Sequence, residues 1–284
     1  MEGGTQLGFD LEVEALVRVT PARLGVWDDC PRRYRLTYVD RPAPPRGGPQ
    51  AANTLGAVVH LALRALFERP PAGRTAAAGA ALVEKYWNSE GFRDAEQAAR
   101  YRDRARGWVA DYVTEQLDRL EPGEELAVGL ERWVSVSTGR VVAEGRVDRI
   151  DRRGPELVVV DYKTGRHTPT ADDAAASPAL ALYAMATERT LRGRCAEVEL
   201  HHLPSGTVAG HRHDAASLAT HLRRAERSAD ALAAATAGLA GGGDPDTLFP
   251  TRPALRCTSC PMRRSCPEGR TVGPEAEPWA MLAP

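Results

Sequence analysis

Apolar positions along this chain change period near residue 126. From Thr54 to Phe67, Leu55, Val58, Val59, Ala62, Leu63 and Leu66 recur every three or four residues, the stripe of a helix with one buried face. Upstream, residues 1–20 read as a lead-in ending in the strand-like Glu14–Val19, and Thr20-Pro21 caps a short helix running toward Cys30. Residues 76–120 continue as Ala-, Arg- and Glu-rich helices carrying the aromatics Tyr86, Trp87, Phe92, Tyr101, Trp108 and Tyr112, and Glu121-Pro-Gly closes them. From Leu126 the pattern predicts strands. Leu126–Val136, Arg140–Ile150 and Glu156–Tyr162 form an antiparallel meander with turns at Ser137-Thr-Gly and Arg153-Gly-Pro. Ser177-Pro178 opens a helix to about Leu191, Glu197–Leu203 and Thr207–His213 make a hairpin, and Ser217 to about Ala237 is a long helix. Gly241–Pro245 is a linker and the last 35 residues are loop-like. This order predicts an α/β (α+β) core with helical insertions.

Composition narrows the picture. The 284 residues are 43% hydrophobic and 26% charged with a net charge near −1, so any nucleic-acid contact rests on local arginine clusters and not on an overall field. No apolar run approaches the roughly 20 residues of a membrane span, and the N-terminus lacks a signal peptide's basic and apolar regions, which predicts a cytoplasmic protein without membrane contact. In that compartment five cysteines read better as metal ligands than as disulfides.

Of 37 Lys and Arg residues, only Lys85 and Lys163 are lysines, so a lysine marks a place where arginine does not serve. Lys163 closes the string Val-Val-Val-Asp161-Tyr-Lys163, and residues two apart in a strand face the same way. Counting outward from a tight turn at Arg153-Gly-Pro-Glu156 places Asp148 opposite Asp161. Two carboxylates that close repel unless a cation lies between them. A divalent ion at Asp148 and Asp161, with Lys163 stabilising or orienting a nucleophile, suits attack of water on a phosphodiester.

Cys257-x2-Cys260-x5-Cys266 is a compact ligand trio, and Cys30 is the obvious fourth member. Cys30, Cys260 and Cys266 are each followed by proline, which turns the chain away and helps it wrap a centre. Four thiolates suit zinc or an iron–sulfur cluster; one distant cysteine joined to a trio favours a 4Fe–4S cluster with a structural role. Cys195 reads as a buried free thiol.

His60, on the apolar helix, reads as a satisfied core residue or as a further metal ligand. Arg32, Arg33 and Arg35, interleaved with Tyr34 and Tyr38, fit either a grip on a DNA backbone or a solvated charge run. Glu197, Glu199 and His201 alternate on what reads as a solvated strand face, which disfavours a metal site among His201, His202, His211 and His213. Glu131 begins an early strand and could reach the metal site, though it reads more simply as an exposed strand carboxylate.

Taken together, Cys30-Pro-Arg-Arg-Tyr, Gly56-Ala-Val-Val-His60, Gly145-Arg-Val-Asp148-Arg-Ile-Asp, Asp161-Tyr-Lys163-Thr-Gly, Leu182-Tyr183-Ala and Cys257-x2-Cys260-Pro-x4-Cys266-Pro resemble, in this order, the PD-(D/E)XK nuclease superfamily. Within it the chain is similar to RecB-like exonucleases with an iron–sulfur cluster, some of them CRISPR-associated. The resemblance implies one nuclease domain over 1–284 with a restriction-endonuclease-like core. It would hold a central mixed sheet flanked by helices, a helical part at 20–125, the core at 126–240, and a cysteine cluster at 249–270 that staples the termini. It implies that His60, Asp148, Asp161 and the carbonyl of Tyr162 ligate Mg²⁺ or Mn²⁺ and that Lys163 activates water. By the same likeness Cys30, Cys257, Cys260 and Cys266 hold the 4Fe–4S cluster and Tyr183 touches DNA. Ala179 stands where the family carries a glutamine, a departure that weakens the expected grip on substrate. The expected activity is metal-dependent hydrolysis of single-stranded DNA or DNA ends in repair or processing. The alternatives are a DNA-end-binding adaptor and a CRISPR spacer-processing nuclease. Without a Gly-x4-Gly-Lys-Ser/Thr loop, any motor is expected from a helicase or repair partner.

Overall fold

The computed structural model describes residues 17–119, 125–138 and 140–282. The Glu121-Pro-Gly break, Gly139 of the first meander turn and most of the lead-in lie outside the described residues. Six strands form one mixed sheet: β1 (Val17–Val19), β2 (Glu125–Ser137), β3 (Val141–Arg153), β4 (Glu156–Lys163), β5 (Glu197–His202) and β6 (Thr207–Arg212). Their order is β1-β3-β4-β5-β6, with β2 paired to the long β3. The predicted meander β2-β3-β4 is antiparallel, while β1 joins β3 and β5 joins β4 in parallel. Parallel strands need a crossover, and here α6 (Ala171–Ala176) and α7 (Pro178–Leu191) supply it between β4 and β5. The short α6, capped by a reciprocal Thr170–Asp173 box, was not predicted.

Leu157, Val158, Val159 and Val160 of β4 are all buried, because helices cover both faces of this central strand. On one face α3 (Ala51–Phe67), α4 (Ala76–Lys85) and α5 (Ala95–Asp118) pack against Val158, Val160 and Tyr162. The predicted helical stripe is what α3 buries: Leu55, Val58, Val59, Ala62, Leu63 and Leu66. Each of those leucines contributes roughly 1.5–3 kcal/mol by leaving water. On the other face α7 places Leu180 and Ala184 against Val147 and Val159.

The short α1 (Pro21–Asp29) and α2 (Pro31–Tyr34) and the long α8 (Ala215–Ala240) close the β1 end. Leu24, Leu182, Ala225 and Ala229 meet there. Thr20 caps α1 by accepting a hydrogen bond from the Arg23 amide, as its Thr-Pro signature predicts. The C-terminal segment is less loop-like than predicted. After α9 (Pro245–Leu248), short 3₁₀ turns at Leu255–Ser259 and Arg263–Ser265 lead into α10 (Pro267–Thr271). Arg263 holds these turns by donating to the carbonyls of Cys257, Gly269, Arg270 and Gly273. Among the described residues, no helix is long and apolar enough to cross a membrane.

Candidate active site

The β3–β4 turn has the predicted tightness. Gly154 takes a positive φ of 56°, Arg153 pairs with Glu156, and the register runs outward to Arg149 opposite Val160. The next step brings Asp148 to the Asp161 end of β4, where Asp148 Oδ2 accepts a hydrogen bond from the Tyr162 amide at 3.0 Å. On the other edge of β3, Leu130 pairs with Arg149 and Arg132 with Val147, which sets Glu131 beside Asp148. Glu131 has a φ of 45°, a left-handed conformation that costs a non-glycine residue about 1–3 kcal/mol and here aims its carboxylate at the site. From α3, His60 Nδ1 comes within 3.4 Å of Asp148 Oδ1.

Ligand atoms of His60, Glu131 and Asp148 all lie within 4.8 Å of one another. Octahedral Mg²⁺ with bonds near 2.1 Å sets opposite ligands about 4.2 Å apart, so one nitrogen and two carboxylates at this spacing fit a divalent ion. Asp161 stands beside the trio and not within it: its Oδ2 is engaged by the Lys163 ammonium. The electrostatics follow from this crowding. Burial works to lower the His60 pKa but is outweighed by Asp148, Asp161 and Glu131, so it rises. Burial works to raise Asp148, yet His60, the Tyr162 amide and Lys163 hold it below the usual carboxylate range. Asp161 is pushed up by burial and by Asp148, against the pull of Lys163. A cluster in which one carboxylate resists ionising gains from an added cation.

Tyr162 supports the site from behind. Its ring meets His60 edge-on at 5.6 Å and packs against Tyr112, while its aromatic face borders the guanidinium of Arg149. Arg149 is fully buried, donating to Gln116 at 3.0 Å and to Asp151 at 2.9 Å. This buried pair locks β3 to α5, so the strand ends carrying Asp148 and Asp161 are held on a rigid base.

The trio and Lys163 open into a cleft of about 1070 Å³, also lined by Leu61, Arg64, Trp133, Arg146 and Tyr183. Tyr183 of α7 packs onto Gly145, where a Cβ would fall 2.6 Å from its ring. Burial, then the nearby Asp161 and Asp148, push the Tyr183 phenol up to about 12, so it stays a neutral hydrogen-bonding group. Ala179 faces away from the cleft, into a separate cavity of about 140 Å³ with Pro21, Leu24 and Leu182.

The four predicted cysteines also converge. Cys30, Cys257, Cys260 and Cys266 line one cavity of about 30 Å³ with Arg33, Arg256 and Gly269. All are free thiols, and the Gly269 amide donates to Cys266 Sγ at 3.4 Å. Burial pushes the Cys260 and Cys266 thiols up. A zinc ion with 2.3 Å bonds needs its sulfurs about 3.8 Å apart. No three of these sulfurs lie within 4.8 Å of one another, a looser set than a zinc tetrahedron.

Other expectations need correction. Arg32 is only 7% exposed, ion-paired with Asp246 at 2.6 Å and donating to the Phe249 carbonyl, so its charge ties α2 to α9 and is not a solvated charge. Arg33 stays partly exposed, 3.7 Å from Asp29, at the cysteine cavity and not in the cleft. The β5 face carrying Glu199 and His201 is buried, not solvated. Tyr112 of α5 covers it by bonding His201 at 2.6 Å, and Arg153 clamps Glu199 through both oxygens. Cys195 is buried and free, as its surroundings predict. Trp133 and Arg146 were missed as cleft residues, and of the two readings of Glu131 the structure favours the one that reaches the site. Counting outward from the Ser137-Thr-Gly turn, as was done for the other hairpin, sets Glu131 opposite Asp148 and Trp133 opposite Arg146.

A family model described as the PD-(D/E)XK nuclease superfamily matches residues 18–267. No curated protein matches the chain.

Proposed function

Because this chain belongs to the PD-(D/E)XK nuclease superfamily, we propose that its cleft hydrolyses phosphodiester bonds of DNA in a RecB-like, exonucleolytic manner, acting on single strands or ends during cytoplasmic repair or processing. The observation that carries this reading is the cluster of His60, Glu131 and Asp148 ligand atoms, open to a cleft that also holds Lys163.

His60, Glu131 and Asp148 would hold Mg²⁺ or Mn²⁺, with Asp161 and the Tyr162 carbonyl as further donors. When bound, the ion offsets phosphate charge and makes water a better nucleophile near neutral pH. Lys163 lines the cleft, is half exposed and among the described residues pairs with Asp161, so its ammonium can turn to a phosphate oxygen or orient the attacking water. Asp148, held below the usual carboxylate range by His60, the Tyr162 amide and Lys163, supplies negative charge, while burial and Asp148 raise Asp161, so a cation there relieves both carboxylates. Tyr183 on the Gly145 wall would bond the DNA backbone. It is the remaining member of the contact that Ala179 leaves incomplete.

At the cysteine cavity, Cys30, Cys257, Cys260 and Cys266 would hold a 4Fe–4S cluster joining α1 and α2 to the C-terminal turns. Support comes from the convergence of the four cysteines on one cavity, the Gly269 amide at Cys266 and the surrounding arginines, which offset an anionic cluster. A helicase or repair protein acting in trans would present the strand.

Asp161→Ala tests the enzymatic reading. Loss of Mg²⁺-dependent cleavage with DNA binding retained supports it. A wild-type protein that binds DNA ends but cuts none in Mg²⁺ or Mn²⁺ is an adaptor instead.

A further inference from the structure

Trp133 on the edge strand β2 is 61% exposed, the one aromatic among the exposed large hydrophobic side chains of the described residues. It does not stand on an outer face. It lines the same cleft as His60, Asp148 and Lys163, and so does Leu61, 46% exposed and one residue beyond His60 on α3. An indole buries 150–250 Å² when covered, so leaving it open at the site forgoes stabilisation that a partner would restore.

The surroundings say what that partner is. Trp133 pairs across the strands with Arg146, whose guanidinium reaches Glu131 at 2.7 Å, and Arg64, paired with Glu68 at 2.9 Å, lines the same cleft. Trp133 and Glu131 are two residues apart on β2, so the indole stands one step along the cleft from a metal-ligating carboxylate. An aromatic face flanked by cations, next to a phosphodiester-cleaving centre, matches the two chemistries of a nucleotide: a flat base and an anionic backbone. In a duplex each base face is already covered by its neighbour. Away from a duplex end, only an unpaired base can lie on an indole.

We infer that Trp133 is a stacking platform for an unpaired base beside the scissile phosphate, with Arg146 gripping the adjoining backbone, so that the cleft selects single-stranded nucleic acid over duplex. This rests on the nuclease reading above and adds to it the residue that sets strand preference. Because β2 is an edge strand and the indole is clear of the core, substituting it leaves the fold intact, which an unchanged melting temperature verifies.

The test measures affinity, without turnover, on the full-length protein in chelator. Anisotropy of a fluorescein-labelled oligothymidine is compared with that of a labelled closed circular duplex, which has no open base face. Trp133→Ala is expected to weaken single-strand binding by about 5- to 150-fold. Trp133→Phe should recover most of that loss, and duplex binding should change little. Arg146→Gln should weaken binding and lower the salt dependence by about one phosphate contact. Single-strand affinity unchanged in Trp133→Ala, or an equal loss for the duplex, overturns the platform. Metal-dependent cleavage persisting in that variant then shows that the nuclease reading survives without it. A wild-type protein that neither binds nor cuts any DNA overturns both.

Discussion

The molecule carries two sets of converging ligands, and they differ in almost every physical respect. His60, Glu131 and Asp148 line an open cleft of about 1070 Å³, whereas Cys30, Cys257, Cys260 and Cys266 enclose about 30 Å³. The cleft ligands come from α3, β2 and β3, elements of the central scaffold, and one of them holds a strained backbone. The cysteines come from the turn between α1 and α2 and from short C-terminal turns that have little core of their own. A catalytic centre needs room for substrate and a rigid support; a structural centre needs closure and joins segments that would otherwise separate. Convergence of ligating side chains therefore fits chemistry in the open cleft and, on the proposed reading, stapling at the cysteines.

Substitutions should separate the two. Lys163→Gln is expected to lower the cleavage rate by about 10²- to 10³-fold, the scale of losing one group that stabilises developing charge. Its melting temperature and any visible absorption of the cysteine centre should not change. A loss of absorption would show that the two regions are coupled. Glu131→Gln should raise the Mn²⁺ concentration for half-maximal cleavage by roughly 10-fold or more, since even indirect supports of a metal are worth 10–100-fold. An unchanged metal requirement would place Glu131 outside the site. Cys257→Ala should do the reverse of Lys163→Gln, lowering the melting temperature by at least ~5 °C while the folded fraction keeps its cleavage rate.

The smallest effect belongs to neither region. His213 is buried, its ring 4.6 Å from that of His211 and 5.4 Å from that of His221, and burial followed by these neighbours lowers its pKa to about 4. The unfolded chain, with an ordinary imidazole near 6.5, binds more protons between those two values. Stability is therefore fullest above about pH 6.5 and falls as pH drops toward 4. His213→Gln should flatten the melting profile across that window without altering cleavage at neutral pH.

Much of this was legible in the sequence because it depends on local rules. The stripe on α3, the Thr-Pro cap of α1 and the tight Gly154 turn are short-range signals, and the turn alone brought Asp148 to Asp161. What escaped depends on partners far away along the chain. Trp133 reads as an ordinary strand residue, and the two readings of Glu131 stay undivided, until β2 is registered against β3; no pattern announces the positive φ of Glu131. The β5 face looked solvated because Glu199 and His201 are polar, yet Tyr112 and Arg153 satisfy them in the interior. Arg32 looked like a surface charge because its partner Asp246 lies beyond the whole sheet in sequence.

The central claim is that the open cleft cuts phosphodiesters with a divalent ion, and its most direct test uses the unaltered protein. End-labelled single- and double-stranded DNA would be incubated with protein stripped of divalent ions by chelator, and Mg²⁺ or Mn²⁺ then restored in steps. Cleavage absent in chelator and rising with restored metal, faster on the single strand, is the expected result. Cleavage that continues in chelator, or none at any concentration of either ion, would contradict it.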